Sequence, residues 1–308
     1  MARPSEGIVN AFSVDVEEYF QVSGFAAHVD RDSWVRIPTR LEIGLEKILE
    51  IAAHHGVIGT FYFLGWIAER YPGIVQEVVD AGHEVGCHSA EHRLAYEMDP
   101  SAFRDDLRRA LDAIESAAGR RCRLYRAPSF SITSESLWAL QVLAEEGIDV
   151  DSSVYPIRHD RYGLAGAPRW PYRPLVDQAH FVEFPPAAAR FLGVNVPFGG
   201  GGYLRLYPLL FTRWLIRWIN AREKRPVMLY VHPWELDSRQ PALPGGVLTR
   251  WRHRVNLGTT GPKLNRLFSE FRFSSVSAVL ENLGGAKALP TFALAQPPAP
   301  VRDSGRTS

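Results

Sequence analysis

The chain has 308 residues, 46% hydrophobic and 22% charged, with a formal net charge of +1. That is an ordinary globular composition, enough for one large domain or two small ones. So small a net charge excludes a dominant polyanion-binding or membrane-surface field, and no nucleic-acid partner is expected.

Residues 1–7 are short and polar, with no charged-then-apolar leader. No apolar run approaches the roughly 20 residues of a membrane span. The expectation is a cytoplasmic protein with no transmembrane segment. Cys87 and Cys122 are too few for a disulfide framework and read as reduced thiols. Strand alternation points Cys87 away from the side of His88.

In chain order, a strand over 8–14 runs into Asp15, Glu17 and Glu18. A helical pattern over 40–55 follows, opened by Thr39 and closed by Gly56. Next come a strand over 57–63 and a helix over 66–81 closed by Gly82. The strand over 84–88 delivers His88 and, four residues on, His92. Asp99-Pro100 opens a helix over 100–118 that Gly119 closes. The strand over 124–127 carries Arg126 and leads to Pro128. Thr133/Ser134 open a helix over 134–146, closed by Gly147. A strand over 148–151 ends in Asp151-Ser152-Ser153. Strands over 180–184 and 226–232 complete the series, the last ending in His232-Pro233-Trp234-Glu235.

Three stretches fall outside this alternation. The glycine run 199–202 has no helical pattern after it, so it reads as a flexible turn or a close backbone approach to a ligand, not a phosphate loop. The apolar stretch 206–219 is interrupted by Pro208 and carries Arg213 and Arg217, which leaves peripheral membrane association open. From 284 the pattern decays toward Pro297-Pro298-Ala299-Pro300 and a Ser/Arg/Asp end, the composition of a disordered tail. The division expected is a flexible N-terminus over 1–7, one catalytic domain over 8–283 and a disordered tail over 284–308.

Strand–helix alternation of this kind means an α/β fold with a largely parallel sheet, and seven strands in this length suit a barrel. In parallel α/β folds the C-terminal strand ends build the active site, and five of them here carry ligand-like or reactive residues. One helical turn would bring His88 and His92 onto one metal. A carboxylate from 15–18 would complete the set. Alternation puts Asp15 and Glu17 on one face and Glu18 on the other, unless a bulge reverses them.

The ordered set Asp15, His88-x-x-x-His92, Arg126-x-Pro128, Asp151-Ser152-Ser153 and His232-Pro233 resembles the polysaccharide deacetylases of the NodB-homology group, carbohydrate esterase family four. The text around 13–20, 155–163, 200–203 and 253–258 resembles the branch found with exopolysaccharide and exosortase loci. The resemblance covers roughly 8–282. It implies a distorted (β/α)7 barrel of the NodB-homology type. It also implies divalent-metal removal of acetyl groups from sugars, with zinc suited best and cobalt, nickel or manganese as alternatives. The family's usual Thr-Phe-Asp-Asp is replaced here by Ser13-Val14-Asp15-Val16-Glu17-Glu18. The implied roles are Glu17 (Glu18 if a bulge intervenes), His88 and His92 as ligands, Asp15 as base and His232 as acid. Arg126 would pair with Asp15, and Asp151 with His232. Tyr155, Trp170, Tyr203 and Trp234 are candidates for an aromatic sugar platform. The function implied is N-deacetylation of amino sugars in a polysaccharide, in exopolysaccharide biosynthesis. The alternatives are a peptidoglycan or small-amide hydrolase and a degenerate sugar-binding barrel.

Overall fold

The computed structural model describes residues 7–159 and 161–294. Most of the expected N-terminal segment, and residues 295–308 of the expected tail, lie outside the described residues.

Strand β1 (Val9–Val16) is buried along nearly its whole length. Its apolar side chains lie on both faces, the mark of a central strand in a parallel sheet. Around it run β2 (Thr60–Phe63), β3 (Glu84–Cys87), β4 (Leu124–Tyr125), β5 (Val150–Asp151), β7 (Val182–Glu183) and β10 (Met228–Val231). The order is β10-β1-β2-β3-β4-β5-β7, all parallel. Strand β11 (Arg272–Ser274) joins the start of β1.

The sheet curls into a distorted barrel, and the chain between β7 and β10 closes the remaining gap. There Ala187 N donates to Met228 O at 3.2 Å, and Tyr230 N donates to Gly199 O at 2.8 Å. This explains the glycine run. A Cβ on Gly200 would stand 1.9 Å from the Tyr230 carbonyl oxygen, so only glycine fits the seam. A short helix, α6 (Gly201–Leu206), does follow the run. Gly199 and Gly200 serve a backbone seam, and Gly201 starts the helix.

Outside the barrel, α1 (Leu41–His55), α2 (Gly65–Arg70), α3 (Pro72–Asp80), α4 (Pro100–Ala118) and α5 (Trp138–Glu145) cover the first half of the sheet. The single helix expected over 66–81 is two, because Pro72 has no N–H to continue α2 and instead opens α3. Helix α5 begins later than expected. Ser136 Oγ donates to Ser131 O and accepts from Thr133 N, so the side chain holds a turn there. Gly56, Gly82, Gly119 and Gly147 all have left-handed φ, as their positions after the helices require.

The apolar side chains divide by strand face. Phe12, Val14, Val16, Phe61 and Phe63 pack outward beneath the helices. Ala11, Tyr62, Leu124, Val150 and Met228 fill the barrel with Val276 and Val279 of α10 (Val276–Asn282). Helix α10 thereby stops one end and leaves the C-terminal strand ends as the open one.

Four further elements were not legible in the residue pattern. They are the hairpin β8 (Ala188–Phe191) and β9 (Val194–Pro197), and helices α7 (Leu209–Trp218), α8 (Val247–Arg254) and α9 (Thr260–Glu270). The expected tail boundary also moves. Strand β12 (Thr291–Phe292) pairs with β6 (Arg173–Pro174), and Leu289 is buried. A short stretch of mostly small residues around one buried leucine has too little periodicity to register as structure. Among the described residues no helix is long and apolar enough to cross a membrane.

Candidate active site

At the end of β1, strand alternation sorts the three carboxylates. Asp15 and Glu17 face the open end of the barrel, and Glu18 turns the other way. Glu18 Oε1 accepts the Thr39 hydroxyl and the backbone N–H groups of Arg40 and Leu41, the latter two at 2.9 and 3.1 Å. It therefore serves the N-terminus of α1 in place of the expected Thr39 cap. No bulge intervenes, so Glu17 is the carboxylate beside the histidines.

Glu17, His88 and His92 are buried, and each offers one ligand atom within 4.8 Å of the others. Glu17 Oε2 lies 2.8 Å from His92 Nε2 and has no hydrogen-bond acceptor or donor beyond that ion-pair contact. His88 Nδ1–H donates to the Arg126 carbonyl at 2.7 Å, which leaves Nε2 free to ligate. Burial lowers the His88 pKa to about 4, so the ring is neutral and its lone pair available. Burial also disfavours the Glu17 charge, but His92 and His232 outweigh it and hold the carboxyl below its usual range. A buried carboxylate with two neutral-capable imidazoles is a donor set that fits a divalent ion such as zinc.

The histidines do not share a helical turn. The segment after β3 is irregular, and Ser89 and His92 have φ of 69° and 54°. These left-handed residues fold the loop back on itself, a conformation costly for side-chain-bearing residues and typical of functional loops. The Ser89 and Ala90 carbonyls accept from the first N–H groups of α2, both at 2.9 Å. Asp106 accepts from Ala90 N at 3.0 Å, and Arg31 Nε donates to the Glu91 carbonyl at 2.8 Å. None of these supports was assigned from sequence.

Arg126 is fully buried and donates to Asp15 Oδ1 at 2.6 Å. Its guanidinium lies 4.3 Å from the Tyr62 ring centroid and donates to Ser152 Oγ at 2.9 Å. The structure thus brings Arg126 to the expected partner.

It does not bring Asp151 to His232. Among the described residues, His232 Nδ1–H has Glu235 Oε1 as its carboxylate, at 3.2 Å. The 3-10 turn over Pro233–Leu236 places Glu235 three residues on, at the Nδ1 edge of the ring. Asp151 instead accepts the Ser153 hydroxyl at 2.5 Å and faces Glu183 across the β5–β7 register. Burial disfavours the His232 charge, but Glu17, Glu235 and Asp15 overcome it and raise the pKa to about 9. His232 Nε2 points at the site, 3.8 Å from Asp15 and 3.6 Å from Glu17. The sequence signal for Glu235 was its place in His232-Pro233-Trp234-Glu235.

A cleft of about 890 Å³ opens beside these groups and reaches them at His92, its wall also including Ser23, Trp34, Tyr96, Tyr162 and Trp234. The expected aromatic platform is mostly elsewhere. Tyr155 is fully buried, its hydroxyl on the Ala187 carbonyl. Trp170 lies under Arg225, 3.9 Å from the guanidinium carbon. Tyr203 reaches the cleft edge only through a 3.2 Å contact between its hydroxyl and that of Tyr162. Trp234 lines the cleft, but its Nε1–H donates to Glu17 at 3.0 Å and its ring is sandwiched between His232 and His253. Its place is to orient the carboxylate. Aromatic rings fill packed space first, and spacing alone does not separate the two uses.

Residues 42–148 match the family model "Polysaccharide deacetylase". This span carries a polysaccharide deacetylase domain of the NodB-homology type. Residues 152–281 match a second model, a domain of unknown function (DUF3473). These two regions form one barrel together with β1, which precedes both: β1 and the residues just after it supply Asp15 and Glu17, the first region His88, His92 and Arg126, the second His232 and Glu235.

A peptidoglycan-N-acetylglucosamine deacetylase from Bacillus cereus is 29% identical over 96 residues, 31% of this chain and 35% of that protein. A chitooligosaccharide deacetylase from Bradyrhizobium is 30% identical over 98 residues, 32% of this chain and 42% of its own length. The chain thus aligns with less than half the length of these relatives. Among solved structures, a protein assigned as a polysaccharide deacetylase from Mycobacterium smegmatis superimposes with a TM-score of 0.61 at 19% identity, covering 97% of this chain and 100% of that one. An allantoinase superimposes with a TM-score of 0.57 at 13% identity, covering 91% and 92%. Both are likenesses of fold.

Proposed function

We propose that the chain is a divalent-metal-dependent hydrolase that removes N-acetyl groups from amino-sugar residues of a polysaccharide, in exopolysaccharide biosynthesis. The observation that carries this reading is the Glu17–His88–His92 group set between two opposed acid–base units, Arg126–Asp15 and Glu235–His232. The relatives named for deacetylation of peptidoglycan and chitooligosaccharides support the substrate class.

Glu17, His88 and His92 would hold the ion, which would supply Lewis-acid polarisation of the acetyl group. Asp15 accepts the proton of the attacking water, and Arg126 orients it through their 2.6 Å hydrogen bond. Water oxygen bonds to the acetyl carbon, and the carbon–nitrogen bond then breaks. His232, held protonated by its carboxylates, gives its proton to the leaving amine nitrogen. The products are acetate and a free amino sugar.

The test is acetate release from N-acetylhexosamine oligomers of increasing length, with metal content measured in parallel. Turnover should need the metal and should rise with chain length, because a cleft of about 890 Å³ has room for more than one ring. Equal rates and equal apparent affinity for monomer and oligomer would move the reading to a small-amide hydrolase. Bound metal without turnover on any acetylated sugar would move it to a binding barrel.

A further inference from the structure

The β8–β9 hairpin turns through two residues, Leu192 and Gly193, flanked by the pair Phe191 and Val194. Both turn residues have positive φ, 46° and 84°. A turn of this kind favours asparagine or glycine at its first position. Leucine there bears a left-handed backbone and is fully solvent-exposed, at 105% relative accessibility. It contributes nothing to the fold that asparagine would not.

Beside the tip lies the outer face of α7. Leu210 and Trp214, one helical turn apart, are 72% and 47% exposed. Trp214 stacks on Phe191 at 5.9 Å between centroids, which joins helix and hairpin into one apolar surface. Residues 190–225 contain seven basic residues and one acidic, in a chain whose net charge is +1. Glu223 is engaged by Arg169, Arg213 and Arg217 pair with Glu270, and Arg205 is buried beside Glu235, so the exposed cations of this span outside those pairs are Arg190, Arg222 and Lys224.

We infer that the Leu192 tip and the Leu210–Trp214 face of α7 form a docking surface for an anionic phospholipid bilayer. The chemistry is complementary at each layer. A protruding aliphatic tip can enter the acyl boundary, tryptophan suits the headgroup level, and the basic rim meets the anionic phosphates. A second copy of the chain would set the same exposed cations, Arg190, Arg222 and Lys224, against each other. Residues 295–308 offer two arginines, one aspartate and a single large aliphatic, Val301, and so no complement to the face. The surface also lies close to the cleft, because α6 runs from Gly202 in the cleft wall to the exposed Leu206. The inference is independent of the deacetylase reading.

The experiment is sedimentation of the full chain with phosphatidylcholine vesicles and with mixed phosphatidylcholine–phosphatidylglycerol vesicles. Binding should need the anionic lipid and weaken as salt is raised. Leu192→Asn should reduce partitioning about tenfold, the scale for losing one buried leucine, while thermal stability holds or rises because asparagine tolerates the left-handed turn. Trp214→Ala should also weaken partitioning, with deacetylation of soluble oligomers unchanged in both variants. No sedimentation with mixed vesicles, or wild-type partitioning by Leu192→Asn, would overturn the inference. Self-association of the vesicle-free chain that Leu192→Asn abolishes would assign the face to a second copy instead.

Discussion

His232 keeps its proton because three carboxylates surround it, and Glu235 is the one that holds Nδ1. Glu235→Gln should therefore lower the His232 pKa and move the alkaline limb of the rate profile down by about one pH unit. Asp151→Asn should leave that limb in place. A pH–rate profile for each variant tests the assignment, and a shift with Asp151→Asn alone would reverse it. The ligand residues admit an equally sharp comparison. His88→Ala, His92→Ala and Glu17→Ala should each lose most of the bound metal and nearly all acetate release, since two donors hold a divalent ion poorly. Glu18→Ala should keep stoichiometric metal by elemental analysis. The reversed pattern at 17 and 18 would mean that the strand end is bulged in solution.

Helix α1 begins where Glu18 accepts two backbone N–H groups and the Thr39 hydroxyl. Removing that carboxylate leaves the donors unpaired in a mostly buried place. Glu18→Ala should cost about 1–2 kcal/mol in urea unfolding, the usual worth of a cap. A second element-scale test concerns β5 and β7, whose register sets Asp151 directly opposite Glu183, both fully buried. Burial raises both carboxyls above their ordinary values, and the neighbouring Asp151 raises Glu183 further. The pair therefore shares a proton. A carboxyl whose pKa is higher folded than unfolded stabilises the fold while protonated and loses that contribution as pH rises through the folded value. Stability should decline as pH climbs from the ordinary 4.5 of Glu183 into the alkaline range. Glu183→Gln should flatten that decline, equalling or exceeding the wild type in urea midpoint on the alkaline side. A wild-type midpoint unchanged across the range would show that the pair does not take up a proton on folding.

For the whole molecule, the barrel end near β6 depends on residues the sequence pattern assigned to a tail. Arg173 N–H donates to the Pro290 carbonyl at 2.9 Å, and Arg173 Nε donates to the Leu289 carbonyl at 3.2 Å. Phe292 packs edge-on against Tyr172. Truncation after Leu283 should cost about 2–4 kcal/mol, from one buried leucine and the lost hydrogen bonds. Truncation after Leu294 should cost nothing measurable. Equal denaturation midpoints for the two truncations would remove 284–294 from the fold.

Strand positions, the glycine stops of the helices and the parallel sheet were legible because they rest on local chemistry. Burial on both faces makes β1 read as a central strand, and glycine after a helix needs no distant partner to stop it. Asp15, Glu17, His88, His92, Arg126 and His232 were legible as an ordered set, each placed at a strand end. Their partners were not. Trp234 donates to Glu17 from 217 positions away; the Arg126–Asp15 pair, 111 positions apart, was the exception. Glu235 takes the place expected of Asp151 at His232 because a 3-10 turn brings it to the Nδ1 edge of the ring, and Glu18 caps a helix that begins 23 residues later. Alternation and periodicity say which face a side chain occupies. Which atom it meets there is decided by strand register, loop curvature and competition for buried space, and these exist only once the barrel has closed.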